Sequence, residues 1–484
     1  MNGSHLSVGL PRLALLTHPV LDPGVGKVLG LRHSAVRPLM LIKFLSHGGL
    51  SGSPDILDRS GTDRQQLGMA LDGGIADLAS GAAGRGPPGP ATPAAVPIGM
   101  SMHEASHKDS EVRILLWYWG RRGAGGQMTL SLVEALRREP GVRVALAISA
   151  QAELRPKMEA LGLPTEALRT YTTAAGVLVS FLRLPWMTWR LWRQARAFRA
   201  DAVVSVMTHL WTPLVAPWLR RAGLYFIPIV HDVRPHSGDP AWLWDWRLDA
   251  ELSAADAAIA LSAAAVATLR ARQPSLVVHQ LTLGALLPPE LPQVSPARPR
   301  LSAGTTFLMF GRMRAYKGLD LIRDAWPLVL ARHPDARLLV VGEGQTEALA
   351  AAALSGVRVD ARWLAEAEIP ELILGADCLV LPYREASQSG VVPLAHALGV
   401  PVVVTPVGGL TEQVHDGIDG VVARAVTPAA LADAMVTLCQ PEERSRLAAG
   451  ARATGLTLRD WSPQARALVA LVSRRPGARN RQGH

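Results

Sequence analysis

One stretch of the chain, residues 379–409, constrains the fold more than any other. Its short apolar runs, Leu379 to Leu381 and Val402 to Thr405, are bounded by proline and glycine. Such runs are typical of parallel strands that are covered on both faces. The residues between them predict a polar loop and then a helix from Val391 to Leu398, and a glycine pair follows the second run. The stretch therefore predicts an α/β fold with a doubly wound parallel sheet.

The polar loop, Pro382 to Gly390, lies at the carboxyl end of its predicted strand, where open α/β sheets bind ligands. It contains Glu385 and Ser389, and Gly390 precedes the predicted helix. Free backbone N–H groups and the helix dipole favour an anion at a helix start, typically a phosphate. We therefore expect Ser389, Gly390 and Val391 to contact a phosphate-bearing ligand.

The composition restricts the class of protein. The chain has 484 residues and a net charge of +10, which suits an anionic partner such as a nucleotide, a nucleic acid or a membrane surface. Cys378 and Cys439 stand in apolar contexts and are predicted core residues, with no disulfide or metal-ligand spacing. No signal peptide or run of about 20 apolar residues is evident, so a cytoplasmic protein is expected, with contact at the inner face of the membrane as an option.

The residue pattern divides the chain into six segments. Residues 1–109 are rich in glycine and proline and predict a disordered extension, and translation from Met100 or Met102 is an alternative start. The remaining segments are two Rossmann-like domains, a proline-rich linker, a final helix and a basic tail. Their predicted bounds are 110–285 for the first domain, 286–304 for the linker, 305–458 for the second domain, 459–473 for the helix and 474–484 for the tail.

The first domain opens with a predicted strand, a glycine-rich turn and a helix from Met128 to Arg138. Gly123, Gly125 and Gly126 do not match a dinucleotide or phosphate-loop fingerprint. They still permit close approach of the backbone to a ligand, although a simple tight turn is the alternative. Later in this domain His231 ends the strand from Phe226, a position from which it can meet a substrate, although many single histidines are structural.

The segment from Val177 to Arg199 interleaves tryptophan with arginine, as at Trp189 and Arg190 or Trp192 and Arg193. This pattern suits the interface of an anionic membrane, and the alternative is an amphipathic helix packed on its own domain. Pro185 is expected to break or start the helix.

The second domain places further charged residues at predicted strand ends. Arg312 and Lys317 lie in a turn that begins at Gly311, and Gly342 and Glu343 follow the next strand. Each cation alone is typical of a solvated surface, but together with the helix start at Gly390 they predict a diphosphate site.

The motifs in this order resemble those of the family 4 retaining glycosyltransferases of GT-B fold, the glycosyl transferases group 1. The resemblance extends from about Val112 to Trp461. It is carried by the following motifs: Gly311-Arg312 with Lys317-Gly318, residues 340–344, residues 376–382, the Ser389-Gly390 turn with residues 397–402, and residues 408–412 with Asp416-Gly417 and Gly420.

The resemblance implies two Rossmann-like domains that face a cleft, and transfer of a sugar from a nucleotide-sugar donor with retention and without a metal or cofactor. It implies that Arg312 and Lys317 hold the donor diphosphate and stabilise the leaving group. His231 then lies near the reacting sugar, Glu385 contacts the donor sugar, and Gly123 to Gly126 lie beside the diphosphate and the acceptor. A glycan or a lipid-linked molecule is the expected acceptor.

The chain departs from the family pattern at one position. The family often has a second Glu in the helix after the loop, where this chain has Pro393 and Leu394. Glu412 is our candidate for the missing contact to the donor ribose. The departure motivates an alternative, a non-catalytic nucleotide-sugar-binding subunit that partners another transferase. An epimerase or phosphorylase of the same fold also stays open, whereas no motif supports nucleic-acid binding.

Overall fold

The computed structural model describes residues 111–235, 240–287 and 304–475. The predicted disordered extension, the alternative start at Met100 or Met102, most of the linker and most of the basic tail lie outside the described residues. The described residues include the two predicted α/β regions and the predicted final helix.

The first sheet has seven described strands, all parallel, in the order β3-β2-β1-β4-β5-β6-β7. The interior strand β1 is almost fully buried, because helices cover both faces of the sheet. The strands are β1 (Val112–Tyr118), β2 (Val142–Ser149), β3 (Thr165–Leu168), β4 (Ala202–Ser205), β5 (Phe226–Val230), β6 (Ala258–Ala260) and β7 (Val278–Gln280).

Six described helices connect these strands and complete the first Rossmann-like domain. They are α1 (Ala124–Leu136), α2 (Arg155–Ala160), α3 (Ala174–Phe198), α4 (Thr212–Arg221), α5 (Ala241–Ala254) and α6 (Ala263–Arg272). The strand order reverses between β1 and β4, which in folds of this kind opens a crevice at the carboxyl ends of the strands.

The second sheet repeats the arrangement with six described strands, all parallel, in the order β10-β9-β8-β11-β12-β13. The strands are β8 (Thr306–Phe310), β9 (Arg337–Val341), β10 (Val357–Asp360), β11 (Cys378–Leu381), β12 (Val402–Val404) and β13 (Gly420–Val422). The prediction of two doubly wound parallel sheets is confirmed. Cys378 and Cys439 are buried, as predicted.

The second half has eight described helices, and all but the last of them pack around this sheet. They are α7 (Leu319–Leu330), α8 (Glu347–Ala351), α9 (Ile369–Leu374), α10 (Val391–Ala397), α11 (Leu410–Gln413), α12 (Pro428–Cys439), α13 (Pro441–Arg459) and α14 (Ser462–Ser473). Short 3₁₀ turns lie at Ala315–Lys317 and Glu366–Glu368.

The last helix, α14, returns to the first domain. Ala465, Leu468 and Val472 are fully buried in the core beside α1 and β1. The indole N–H of Trp461 donates a hydrogen bond of 3.0 Å to the carbonyl oxygen of Ala285. The chain end thus ties the first domain to the segment that leads into the second.

The prediction that Pro185 breaks or starts a helix is wrong, because α3 is continuous through this residue for 25 residues. A proline inside a helix removes one backbone donor and costs about 3 kcal/mol. Here the apolar stripe of Val177, Leu184, Met187 and Leu191 is buried against the domain core, and this packing holds both halves of the helix in line.

The predicted extent of the first glycine-rich turn is also corrected. Helix α1 begins at Ala124 rather than at Met128, so that Gly125 and Gly126 lie inside the helix. A Cβ atom at Gly125 would stand 2.6 Å from the ring of Tyr118 and 2.9 Å from the sulfur of Met207. These two glycines therefore permit close packing of the helix start on buried side chains.

Candidate functional site

A cavity of about 630 Å³ lies between the carboxyl edges of the two sheets. One wall comes from the first domain and includes Gly123, Thr208, His231 and residues of α5. The other comes from the second domain and includes the turns that follow β8 and β9 and the start of α10. Both walls are thus built from the sheet edge at which doubly wound domains bind ligands.

Lys317 is the buried cation of the second-domain wall. Its ammonium group donates a hydrogen bond of 3.2 Å to the carbonyl oxygen of Phe310 and lies 5.3 Å from the centre of the Tyr383 ring. Burial lowers the pKa of Lys317, the nearby Tyr316 raises it, and the positive charge of Arg312 lowers it. The polar partners that the structure gives this buried ammonium are neutral, so an anionic ligand in the cavity would be its natural counter-charge.

The turn that carries Lys317 is held by close backbone approaches. Gly318 has a φ of 71°, and a Cβ atom there would lie 1.9 Å from the carbonyl oxygen of Pro382. A Cβ atom at Gly342 would lie 1.9 Å from the carbonyl oxygen of Gly311. Arg312 and Glu343 also line the cavity and are exposed there. Glycine at these two positions lets three strand ends converge on the site.

The loop before α10 contributes backbone to the cavity. Gly390 and Val391 line it, whereas Ser389 and Glu385 are not among the lining residues. The side-chain amide of Gln413 binds the backbone of Ser389. Its oxygen accepts a hydrogen bond of 2.8 Å from the Ser389 N–H, and its nitrogen donates one of 3.0 Å to the Ser389 carbonyl oxygen. Ser389 therefore supports the loop, and Glu385 is exposed outside the cavity.

His231 is the buried histidine of the first-domain wall. Its Nε2–H donates a hydrogen bond of 2.8 Å to the carbonyl oxygen of Val206, which leaves Nδ1 as the unprotonated nitrogen. Burial lowers the pKa of His231, and the hydrogen bond to Val206 and the charge of Asp232 oppose this effect. The imidazole is therefore neutral near pH 7.

Glu412 lies elsewhere. Its carboxylate accepts hydrogen bonds from the backbone N–H groups of Ala263 and Ala264, at 2.6 and 2.9 Å, and thereby caps α6 from the opposite domain. Nearby, the hydroxyl of Ser262 donates to the carbonyl oxygen of Ser387 at 2.8 Å. Glu412 thus joins the two domains and is not among the residues that line the cavity. Leu394, one of the two residues at which the family pattern led us to expect a carboxylate, contributes an apolar surface to the cavity.

The sequence patterns did not identify several residues in and beside the cavity walls. Gln127 and Glu366 form a hydrogen bond between the domains, and Arg122 stacks on Trp363 at 5.8 Å. Thr208 and Glu251 also lie in the first-domain wall. A glutamate on a helix is usually a solvated residue, so no signal in the sequence alone marked Glu251.

The cation Arg247 also belongs to this wall, and its guanidinium lies 4.5 Å from the centre of the Trp244 ring. Among the described residues, no group of three or more His, Cys, Asp or Glu side chains is arranged to hold a metal ion. The cavity lining combines five basic side chains, those of Arg247, Arg312, Arg314, Lys317 and Arg362, with four carboxyl groups, those of Asp232, Glu251, Glu343 and Glu366.

Two family descriptions match the chain, one on each sheet. "Glycosyl transferase 4-like domain" matches residues 123–284, and "Glycosyl transferases group 1" matches residues 304–441. Together the two matches include most of the residues that line the cavity.

Curated relatives match mainly over part of their length. The chain is 36% identical to the D-inositol 3-phosphate glycosyltransferase of Frankia alni, over 37% of this chain and 47% of the relative. It is 32% identical to the phosphatidyl-myo-inositol mannosyltransferase of Mycobacterium leprae, over 34% of this chain and 44% of the relative. The chain thus spans about half the length of these relatives.

A solved structure supports the fold. The Anabaena protein HepE, crystallised in complex with UDP and glucose, superposes with a TM-score of 0.59 at 17% sequence identity, over 75% of this chain and 100% of that protein. At this identity the similarity is evidence for the GT-B arrangement of two Rossmann-like domains. With two parallel sheets and a family match on each of them, the chain belongs to the group 1 glycosyltransferases.

Proposed function

We propose that the protein transfers a sugar from a nucleotide-sugar donor to a hydroxyl group of a glycan or lipid-linked acceptor, with retention of the anomeric configuration. In this reaction the bond between the anomeric carbon and the diphosphate oxygen breaks. The acceptor oxygen bonds to the same face of the sugar, and its proton passes to the departing diphosphate. The protein's contribution is to hold both substrates in the cavity and to stabilise the negative charge of the leaving group.

One observation supports the proposal: the buried ammonium of Lys317 and the neutral imidazole of His231 line the same cavity, one from each domain. Lys317, with Arg312 and the backbone of Gly390 and Val391, offers positive charge and N–H donors that suit a diphosphate. The donor therefore belongs on the second-domain wall and the acceptor on the first-domain wall. Gly123, at the start of α1, also lines the first-domain wall.

The test is an assay of nucleoside diphosphate release. The protein is incubated with a panel of nucleotide sugars, with and without a membrane lipid extract. We expect release with one donor and an increase when the extract supplies the acceptor. Donor binding without turnover in any extract would instead favour a non-catalytic subunit, the alternative suggested by Pro393 and Leu394 where a second glutamate was expected. NMR of the product's anomeric proton decides between retention and inversion.

We also propose that α3 contacts an anionic membrane surface. Its outer face exposes Leu178, Leu182, Trp186 and Trp189, and Leu182 is 73% exposed. Arg190 and Arg193 lie over the rings of Trp186 and Trp189, at 5.4 and 5.1 Å. Apolar side chains flanked by cations suit the boundary between headgroups and acyl chains.

The proposed contact of α3 is with the membrane surface. Among the described helices, none has both the length and the apolar character needed to cross a membrane. The lipid-acting relative from Mycobacterium leprae supports the idea that an acceptor is presented at a membrane surface.

Replacing Trp186 by serine is expected to weaken binding to vesicles that contain anionic lipid, by about tenfold, because a large apolar group leaves the interface. Vesicle co-sedimentation measures the change. Trp242 is the matched control, since it is exposed to a similar extent, 46% against 48%, but lies on another helix. An equal loss in the Trp242→Ser variant, or no loss in either, would contradict a role for α3.

A further inference from the structure

The first-domain wall contains a buried carboxyl group with an unused oxygen. Glu251, on α5, is fully buried and lines the cavity. The hydroxyl of Thr208 donates a hydrogen bond of 2.7 Å to Oε2, whereas Oε1 has no hydrogen-bond partner among the described residues. Buried polar atoms are nearly always hydrogen-bonded, so an orphaned carboxyl oxygen beside a cavity indicates a partner supplied by a ligand.

The position of Glu251 restricts what that partner can be. The diphosphate-binding groups, Lys317 and Arg312, lie on the opposite wall, and a carboxylate would repel a phosphate. An ionised carboxyl oxygen accepts hydrogen bonds, and the donors that a sugar or polyol offers are its hydroxyl groups. Glu251 therefore suits a neutral hydroxyl-bearing part of the molecule bound on the first-domain wall.

We propose that Oε1 of Glu251 accepts a hydrogen bond from a hydroxyl group of the acceptor and so orients the acceptor for the reaction. This inference rests on the proposed function, since it takes the first-domain wall as the acceptor side. Thr208 has a positioning role, because its hydrogen bond to Oε2 fixes the plane of the carboxyl group and leaves Oε1 for the acceptor.

The ionisation of Glu251 gives the inference a pH dependence. Burial raises the pKa of Glu251 to about 7, against the opposing effects of the Thr208 hydrogen bond and the Arg247 charge. The raised value means that the ionised form becomes populated only as the pH rises through about 7. The efficiency of transfer at limiting acceptor is therefore expected to rise over the same range, since kcat/KM reports groups of the free enzyme.

Other titratable groups lie on the elements that pack against α5. Burial lowers the pKa of His209 to about 3, so it stays neutral over this range, and the pKa of His231 is also lowered. The charged groups on α5 itself and on the neighbouring β5 end and α4 are Asp245, Arg247, Asp249, Asp232, Arg220 and Arg221. The loss of a pH step near 7 in the Glu251→Gln variant would assign that step to Glu251.

The Glu251→Gln variant tests the inference with an extract of membrane lipids titrated as acceptor and octyl glucoside as a defined hydroxyl probe. At about pH 8 we expect its acceptor KM to rise at least about tenfold, because a neutral amide oxygen replaces a charged acceptor. The donor KM and the slow hydrolysis of donor without acceptor should stay unchanged, and the pH step near 7 should vanish. Glu134→Gln, an exposed glutamate on α1, is the matched control.

A second measurement does not depend on the acceptor. A carboxyl whose pKa is raised by folding stabilises the protein at low pH and loses that contribution as the pH rises through the folded pKa. The melting temperature of Glu251→Gln relative to wild type should therefore increase from about pH 5 to about pH 8. Thr208→Val should move the pH step of transfer upward, because it removes a hydrogen bond to the ionised form.

The outcomes separate this inference from the proposed function. Wild-type donor turnover with an unchanged acceptor KM in Glu251→Gln, or a rise of the donor KM alone, would overturn the inference and leave the proposed function standing. A fall of kcat/KM with rising pH through 7 would overturn the accepting role of the carboxylate. No donor turnover by the wild type under any condition would overturn both.

Discussion

Replacing Lys317 by methionine is expected to lower turnover at least about 100-fold, the scale seen when a group that stabilises transition-state charge is lost. The ammonium is buried at the cavity wall, with the Phe310 carbonyl and the Tyr383 ring beside it. Its attraction for the leaving diphosphate is therefore little screened by water. Methionine keeps the apolar stem and removes only the charge, so the fold should tolerate the change.

The measurement is steady-state release of nucleoside diphosphate, together with the melting temperature of each variant. Lys157→Met is the matched control, because Lys157 is an exposed lysine on α2 and not among the residues that line the cavity. Arg312→Ala should cause a loss of similar direction, since Arg312 lines the same wall. Near wild-type turnover in a folded Lys317→Met protein would remove Lys317 from the reaction.

Replacing Gly318 by alanine is expected to reduce turnover about 100-fold, because a displacement of about 1 Å in a catalytic group can have this effect. A Cβ atom at this position would stand 1.9 Å from the carbonyl oxygen of Pro382. The turn that carries Lys317 must therefore move away from the end of β11. The added strain of a left-handed conformation costs about 1–2 kcal/mol of folding stability.

Gly417 provides the matched control, because its φ of 70° equals that of Gly318 within a degree, whereas no described atom lies within 4 Å of its Cβ position. Gly417→Ala should show the strain alone, as a lower melting temperature with normal turnover. Equal turnover in the two variants would mean that the close approach at Pro382 does not position Lys317.

Much of the fold could be read from local patterns. The apolar run at Leu379 to Leu381 lies within a buried strand, and the helix at Val391 begins at the predicted residue. Such elements are predictable because burial on both faces requires an uninterrupted apolar run, and because glycine and proline end it. The same reasoning failed at Pro185, because burial of one face of α3 outweighs the tendency of proline to end a helix.

The candidate site was predictable only where a motif is local. Lys317 and the Gly390 turn lie within short motifs, and the structure places both at the cavity. Ser389, Glu385 and Glu412 stand near these motifs in sequence, yet they are not among the residues that line the cavity. The direction of a side chain depends on the packing of neighbouring elements. Ser389, for example, is held by two hydrogen bonds between its backbone and the side chain of Gln413. The roles predicted for these three residues stay predictions.

The sequence by itself determined the two parallel sheets, the glycine positions and the cations that suit a diphosphate, because each depends on residues close together in the chain. Only the tertiary structure decided that Glu251 meets Thr208, 43 residues away, and that one oxygen of its carboxyl group is left over at the cavity. The physical reason is that burial and hydrogen bonding are properties of the assembled walls. Glu251 becomes a candidate binding group only because the packing of α5 beside the end of β4 buries its carboxyl group next to the hydroxyl of Thr208.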